Sequence, residues 1–243
     1  MICSSGIVLN SIRYTDDKVI VNVYTAVAGG MAFVVRRNGV RSARSVRQSA
    51  AMWQPLTLVE LTWDDTHRGS LAVAREITIV RPWVDIPFHP HKAAMALFLG
   101  EFLGHVLRHE PANAELTAFA ERSLEWFDNA ESGFASFHVT LLLGLSRYLG
   151  FEPNTEDWHE GWFFDLRAAE FCESRPTHPD YIEGSEAALV PRLLRLGYGQ
   201  MRRVKLNGLA RSRMLEVIVW FYRLHVPDLP DMKSLAVLRD TFR

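Results

Sequence analysis

Apolar residues in the first third of the chain recur at every second position or in short β-branched runs, which is the pattern of β-strands. This pattern predicts five strands, near residues 6–14, 18–24, 31–36, 56–63 and 71–80. Turn residues separate them, with Asp16-Asp17 after the first strand and Gly29-Gly30 after the second. Five short strands with one long connection between the third and the fourth predict a small closed barrel of the OB type.

After residue 82 the apolar positions follow a period of about 3.6 residues, which is the period of an α-helix. Helices are predicted near residues 92–109, 114–128, 134–149, 187–196, 209–224 and 232–241. The proline-bearing segment at 82–90 is the predicted domain joint. The fold class is therefore α+β and multidomain, with an OB-fold β-barrel at residues 1–82 and an all-α helical domain at residues 83–243.

Composition places the chain among ordinary folded proteins. Hydrophobic residues make up 48% and charged residues 23%, so enough apolar surface exists to offset the entropy of ordering. Cys3 and Cys172 are too few and too far apart for a disulfide framework, which indicates a reducing compartment. No leader peptide or membrane span is recognisable, and we expect a cytoplasmic protein.

The net charge of −1 conceals an uneven distribution of charged residues. Residues 1–82 carry ten basic and six acidic side chains, so the remainder of the chain is net acidic. Two stretches, at 36–47 and 191–213, contain basic residues and no acid, which is typical of surfaces that bind polyanions. The predicted nucleic-acid-binding residues are Arg36, Arg37, Arg41, Arg44 and Arg47 in the first stretch, and Arg202, Arg203, Lys205, Arg211 and Arg213 in the second.

Each basic stretch also has a plainer interpretation. The first would be a mobile loop that keeps the protein soluble, and the second a solvated helix end beside a helix dipole. For the first stretch, nucleic-acid binding is favoured, because the arginine fork suits phosphate oxygens and OB barrels commonly bind single strands. For the second stretch the two interpretations are balanced.

Aromatic residues divide into two groups by position. Those of the helical region, such as Trp220 and Tyr222, are expected in its core. Trp53 follows the arginine run directly, and Tyr14 and Tyr24 belong to the barrel. These three are candidates for stacking on nucleic-acid bases, with a place in the barrel core as the alternative.

Metal-binding and catalytic signatures are weak or missing. Glu101, His105 and His109 share one helical face, but zinc needs a further ligand, so an exposed polar face is the favoured interpretation. Cys172 and His178 offer only one thiolate and one imidazole. No phosphate-binding loop, dinucleotide fingerprint or nucleophile elbow occurs. We therefore expect a binding protein, not an enzyme, with no catalytic residue, metal or cofactor.

A series of short matches along the chain resembles one known family. In the barrel the matching segments are Gly6-Ile7-Val8-Leu9, residues 14–25 with Tyr14-Thr15-Asp16-Asp17, Gly29-Gly30, residues 37–42 and residues 54–61. In the helical part they are Leu141-Leu142-Leu143-Gly144-Leu145, Tyr148-Leu149-Gly150-Phe151 and residues 233–238. In order and spacing the chain resembles the RecO family of bacterial DNA repair and recombination mediators.

The resemblance implies a protein that binds single- and double-stranded DNA and anneals complementary strands. It also implies partners: the acidic C-terminal tail of single-stranded DNA-binding protein, and RecR, with which family members load RecA at gaps. A nucleoid-associated, cytoplasmic location follows from these activities. For the acidic tail, the helical domain would need a hydrophobic notch rimmed by Arg or Lys, and we expect residues 202–213 to contribute to it.

The chain departs from the family pattern in two places. Many family members carry a four-cysteine zinc site in the helical domain, whereas residues 171–183 retain only Cys172, so we expect packing to replace the metal. The acidic residue that follows the tyrosine of the first turn in the family is approximated here by Asp16-Asp17. The alternative function, from a different class, is an OB-helical adaptor that binds proteins and no DNA.

Overall fold

The computed structural model describes residues 1–36, 53–64, 71–204 and 206–241. Its N-terminal part is a closed five-stranded barrel in the order β1-β2-β3-β5-β4, in which only β3 and β5 pair in parallel. This arrangement confirms the predicted OB-type barrel. The strands are β1 (Ile2–Arg13), β2 (Lys18–Thr25), β3 (Gly29–Arg36), β4 (Leu58–Trp63) and β5 (Leu71–Arg81).

The barrel core is built from the alternate residues that point inward along each strand. In β2 these are Val19, Val21 and Val23, all buried. Phe33 and Trp63 meet edge to face in this core, with ring centroids 5.3 Å apart. Because every second residue of β2 from Val19 to Val23 is buried, the intervening Ile20 and Asn22 lie on the outer surface of the barrel.

All six predicted helices are confirmed, with bounds that differ from the predictions by a few residues. They are α1 (Pro90–Val106), α2 (Ala114–Asn129), α3 (Phe137–Tyr148), α4 (Gly184–Leu194), α5 (Gly208–His225) and α6 (Ser234–Thr241), with a 3-10 helix at Tyr198–Arg203.

The expectation of a purely helical C-terminal part needs a correction. A three-stranded sheet in the order β7-β6-β8 lies between α3 and α4. Its strands are only three, three and two residues long, too short to produce a visible alternation of apolar and polar residues. They are β6 (Phe163–Asp165), β7 (Glu170–Cys172) and β8 (Tyr181–Ile182).

Backbone contacts divide the described chain into two compact units. The first comprises residues 1–128 and 230–241, and the second comprises residues 129–229. The second unit is therefore an insertion into the first, which holds the barrel together with α1, α2 and α6. The boundary at residues 82 and 83 stays a prediction about separately folding domains.

Within the first unit, α1 and the loop after it pack closely on the barrel. A Cβ atom at Gly100 would lie 2.3 Å from Cβ of Pro55, so only glycine fits at this contact. The N–H of Gly30 in the β2–β3 hairpin donates to the carbonyl oxygen of Glu110 at 3.0 Å. These contacts fix one end of the barrel against the helices of the same unit.

Within the second unit, aromatic residues of α5 form the centre of the core. The hydroxyl of Tyr222 donates to the carbonyl oxygen of Leu142 at 2.7 Å, and Phe151 stacks on His225 with centroids 4.9 Å apart. The predicted core position of Tyr222 is confirmed, while Trp220 is only partly buried. No helix of the described segments is long and apolar enough to cross a membrane.

Candidate nucleic-acid interface

One end of the barrel gathers basic residues from four different strands. Lys18 begins β2 and is the register partner of Arg36 at the end of β3. Arg13 at the end of β1 pairs with Val19, and Arg75 of β5 lies two residues beyond the Val34–Val73 pair. We call this group the basic barrel end; its members are Arg13, Lys18, Arg36 and Arg75.

Two members of the basic barrel end form ion pairs at the surface. Arg13 lies 2.5 Å from Asp16, and Arg75 lies 2.6 Å from Asp64. Both arginine side chains are more than half exposed. Ion pairs of this kind contribute about 0–1 kcal/mol, so a phosphate group can compete for the same guanidinium.

The predicted arginine run leaves the barrel at this end. The backbone of Arg36 is paired in β3, and its side chain lies outside the described part of the structure. Its successors Arg37, Arg41, Arg44 and Arg47 lie outside the described residues, and their role in DNA binding stays a prediction. The register nevertheless puts the first residue of the run beside Lys18, which sequence alone did not reveal.

The aromatic candidates for base stacking have different environments. Tyr24 is fully buried, and its hydroxyl donates to the carbonyl oxygen of Pro111 at 2.8 Å. Burial raises the pKa of Tyr24 to about 12. The stacking prediction for Tyr24 is therefore wrong, because the loop after α1 covers the ring. Trp53 packs against the barrel core, whereas Tyr14 is 59% exposed and stays a candidate.

The second predicted stretch belongs to the inserted unit, and its members differ in environment. Arg203 is exposed at the end of the 3-10 helix. Arg211 is partly buried, and this burial lowers the pKa of its guanidinium. Arg213 lies 2.8 Å from Glu186 and 3.5 Å from Glu216. The Arg202 side chain and Lys205 lie outside the described part of the structure.

A groove of about 480 Å³ lies beside Arg213, between α4 and the start of α5. Its apolar surface comes from Leu189, Leu209 and Met214, and Leu209 is 84% exposed. Glu186 and Glu216 lie on its rim with Arg213. The groove thus joins apolar surface to an arginine that is already paired with two carboxylates.

Comparison with known proteins decides the family. The sequence profile described as "Recombination protein O N terminal" matches residues 1–83, and "Recombination protein O C terminal" matches residues 88–235. The DNA repair protein RecO of Bacteroides fragilis is 39% identical over 238 residues, which cover 98% of this chain and 97% of that protein.

The chain belongs to the RecO family. A DNA repair protein RecO of Phocaeicola vulgatus is 37% identical over 237 residues, covering 98% of this chain and 97% of the relative. One of Christiangramia forsetii is 28% identical over 249 residues, covering 100% of this chain and 99% of the relative. The resemblance stated from the short sequence matches is therefore confirmed, and the chain is a DNA repair protein of this family.

The four-cysteine zinc site that the RecO family implies does not fit the residues present. Cys172 lies 3.8 Å from the carbonyl oxygen of Phe163, and burial, together with the nearby Asp165 and Glu170, raises the pKa of its thiol. A raised pKa disfavours the thiolate that binds zinc. Among the described residues, no group of three or more His, Cys, Asp and Glu side chains is arranged to hold a metal ion.

Hydrogen bonds hold the small sheet where the RecO family resemblance implies zinc. His178 lies 3.1 Å from Asp165, which also accepts from the N–H of Arg167 at 2.8 Å. Asp180 accepts from the guanidinium of Arg167 at 2.5 Å and from the indole N–H of Trp220 at 3.0 Å. The sheet is thereby tied to α5 by polar contacts as well as by packing.

Of the polar face predicted at Glu101, His105 and His109, Glu101 has a structural role in this RecO family member. The Glu101 carboxylate accepts from the backbone N–H groups of Lys233 and Ser234 at 2.9 and 2.8 Å, and from the Ser234 hydroxyl. It therefore caps α6 in the way that a side chain at a helix N-terminus does. Glu101 is only partly exposed as a result.

Proposed function

We propose that this chain binds single- and double-stranded DNA, anneals complementary strands and, with RecR, loads RecA onto DNA coated by single-stranded DNA-binding protein. The observation that carries the proposal is the basic barrel end, where strand register joins Lys18, Arg36 and Arg75 on an OB-type barrel. The arginine run continues from the same point, so described and predicted cations follow one another along the chain. DNA binding, annealing and RecA loading would take place at the nucleoid, and the chain would catalyse no covalent reaction.

Arginine contacts to phosphate suit a protein that must later give up its strand to RecA. These contacts weaken with salt, because each neutralised phosphate releases counterions on binding. They also leave the bases accessible, as the annealing of complementary strands requires. We propose Arg37, Arg41, Arg44 and Arg47 as the main phosphate ligands, with Lys18 and Arg75 extending the track.

For the inserted unit we propose a second basic surface that engages DNA and the acidic tail of single-stranded DNA-binding protein. Arg203 is exposed there, as are Arg192 and Arg195 of the same acid-free stretch. The neighbouring groove supplies the apolar surface through Leu209 and Leu189. Arg213 holds the rim of this groove through Glu186, and Arg202, Lys205 and Arg211 complete the proposed set.

The test of DNA binding is a salt titration with paired variants. The matched control for R41A/R44A is R122A/R147A, which removes the same charge from exposed positions outside both stretches. For contacts to about four phosphates of a single strand, the log-log salt slope of the unchanged protein is about −3. We expect R41A/R44A to reduce the slope by about 1.4, and R122A/R147A to leave it unchanged. Equal slopes in both variants would refute the arginine loop as a phosphate site.

The tail surface is tested separately by charge reversal at Arg202 and Arg203. We expect R202E/R203E to weaken binding of an acidic, apolar tail peptide and of duplex DNA. Unchanged affinity for both ligands would remove this stretch from the proposal. Binding of protein partners by the unchanged chain, without any DNA binding, would favour the adaptor alternative.

A further inference from the structure

Four β-branched side chains form one continuous row across the outside of the barrel. Ile12 of β1 is the register partner of Ile20 of β2, Ile20 is the partner of Val34 of β3, and Val34 is the partner of Val73 of β5. The neighbours of Ile20 and Val34 along β2 and β3 are buried in the barrel core, so these two side chains and their register partners Ile12 and Val73 lie on the opposite, outer face. We call the row Ile12, Ile20, Val34 and Val73 the aliphatic ladder.

The residues at both ends of the aliphatic ladder are exposed to solvent. Ile12 is 59% exposed and Val73 is 52% exposed, while Ile20 and Val34 are partly exposed between them. Single exposed apolar residues are normal on protein surfaces, but a contiguous apolar row marks a surface that contacts a partner. Three steps between neighbouring strands give the ladder a length of about 14 Å.

The positive charge beside the aliphatic ladder indicates which kind of partner binds there. Two residues further along each strand, a distance of about 7 Å, stand Lys18, Arg36 and Arg75 of the basic barrel end. Tyr14, which is 59% exposed, follows Ile12 in the same direction. An apolar row parallel to a cationic row complements a strand whose bases lie on one side and whose phosphates lie on the other.

We infer that the aliphatic ladder is the surface against which the bases of a bound single strand lie, with the phosphates along Lys18, Arg36 and Arg75. The inference rests on the proposed DNA binding, and it adds that the bases of the bound strand face the aliphatic ladder. Every base has an apolar face, so contact with aliphatic side chains is independent of sequence. It is also weaker than aromatic stacking, and the bases are released readily to a complementary strand.

Duplex DNA cannot use the aliphatic ladder in this way, because its bases are stacked inside the helix. The ladder therefore contributes to the affinity for single strands and not to the affinity for duplexes. The cationic row contributes to both, since phosphates are exposed in each form. Variants of the two rows consequently have different effects on the two kinds of DNA.

The experiment compares strands with and without bases. Fluorescence anisotropy gives the dissociation constants for an oligothymidylate of about 20 nucleotides and for an abasic deoxyribose-phosphate strand of equal length. We expect the unchanged protein to prefer the oligothymidylate. In I20T/V34T the preference falls by roughly three- to tenfold, while affinity for the abasic strand and for duplex DNA is unchanged. Threonine keeps the β-branched shape, so the strands are preserved.

Two further variants make the comparison decisive. V27T removes the same kind of side chain from the exposed β2–β3 hairpin at the other end of the barrel, and we expect it to keep the preference. I20F adds apolar surface to the ladder and is expected to increase the preference. Thermal melting of each variant reports whether the fold is intact.

The outcomes separate the ladder from the proposed function. A preference that is the same in I20T/V34T and V27T, with DNA still bound, overturns the ladder and leaves the phosphate track in place. Failure of the unchanged protein to bind either strand overturns both proposals. If I20T/V34T loses RecR binding while oligothymidylate affinity is unchanged, the ladder is a protein-docking surface and the inference is wrong.

Discussion

The carboxylate of Asp128 accepts a hydrogen bond from the backbone N–H of Ile86 at 2.9 Å. The same carboxylate accepts from the N–H groups of Val84 and Asp85, and the carbonyl oxygen of Asp128 accepts from the ammonium of the buried Lys92. The end of α2, where the chain enters the inserted unit, is thus joined to the segment that follows the barrel. One buried acid fixes a connection that sequence patterns do not show.

Removal of the Asp128 carboxylate is expected to destabilise the first unit. D128A leaves three backbone N–H groups without their acceptor, and we expect the free energy of unfolding to fall by about 3 kcal/mol. Urea unfolding followed by circular dichroism measures the change. D157A, in an exposed turn, is the matched control, with an expected change within about 0.5 kcal/mol. Equal effects of the two substitutions would show that the Asp128 contacts contribute nothing.

Glu101 predicts a dependence of stability on pH. Burial raises the pKa of its carboxyl, but hydrogen bonds from Ser234 and Lys233 outweigh burial, so the pKa lies below its ordinary value of 4.5. A group whose pKa is lower in the folded state stabilises the fold above its unfolded pKa and loses this contribution as pH falls through the folded value. Glu101 therefore stabilises α6 at neutral pH and ceases to do so in acid.

E101Q tests this dependence. At neutral pH we expect it to lower the free energy of unfolding by about 1 kcal/mol, the typical contribution of a helix cap. The difference from the unchanged protein should shrink as pH falls below 4.5. E160Q, at an exposed loop position, serves as the control and should show no such convergence. A difference that is constant from neutral to acid pH would contradict the assignment.

We expect Tyr24 to stabilise the fold through the hydrogen bond of its buried hydroxyl. Y24F removes the hydrogen bond to Pro111, and we expect a loss of about 1 kcal/mol in unfolding free energy with unchanged DNA affinity. Y14F, at an exposed position, should leave stability unchanged. Unfolding curves and anisotropy titrations give the two quantities. A loss of stability no larger than that of Y14F would contradict a stabilising role of this hydrogen bond.

We expect the small sheet of β6, β7 and β8 to be stable without a bound zinc ion. The contacts of Asp165 and Asp180 hold its strands, and the raised pKa of Cys172 disfavours a zinc thiolate. We expect EDTA to leave the melting temperature unchanged and C172S to shift it by no more than about 2 °C. Metal analysis of the purified protein accompanies the melts. A large fall in melting temperature on chelation would show that a metal ion supports this unit.

Elements with a clear period were predictable from the sequence. The alternation at Val19, Val21 and Val23 gave β2, and the helical period after residue 82 gave all six helices. The strands of the small sheet contain too few residues for a period to appear. Their existence depends on pairing between segments, which a local pattern does not record.

The candidate site was predictable only in part. The arginine run is visible as a cluster in sequence, but the basic barrel end joins Lys18, Arg36 and Arg75, which only strand register brings together. The sequence also left base stacking and burial open for Tyr24, because its ring is covered by a loop that is 87 positions away in sequence. Contacts between distant segments decide both cases.

The most direct test of the proposed function is the annealing of complementary oligonucleotides that have been coated with the cognate single-stranded DNA-binding protein. A fluorescence-quenching assay compares the rate without this chain, with it, and with its R41A/R44A variant. We predict a clear acceleration by the unchanged chain and a loss of most of that acceleration in the variant. Coated strands that remain apart at every concentration of the chain would contradict its role as a mediator.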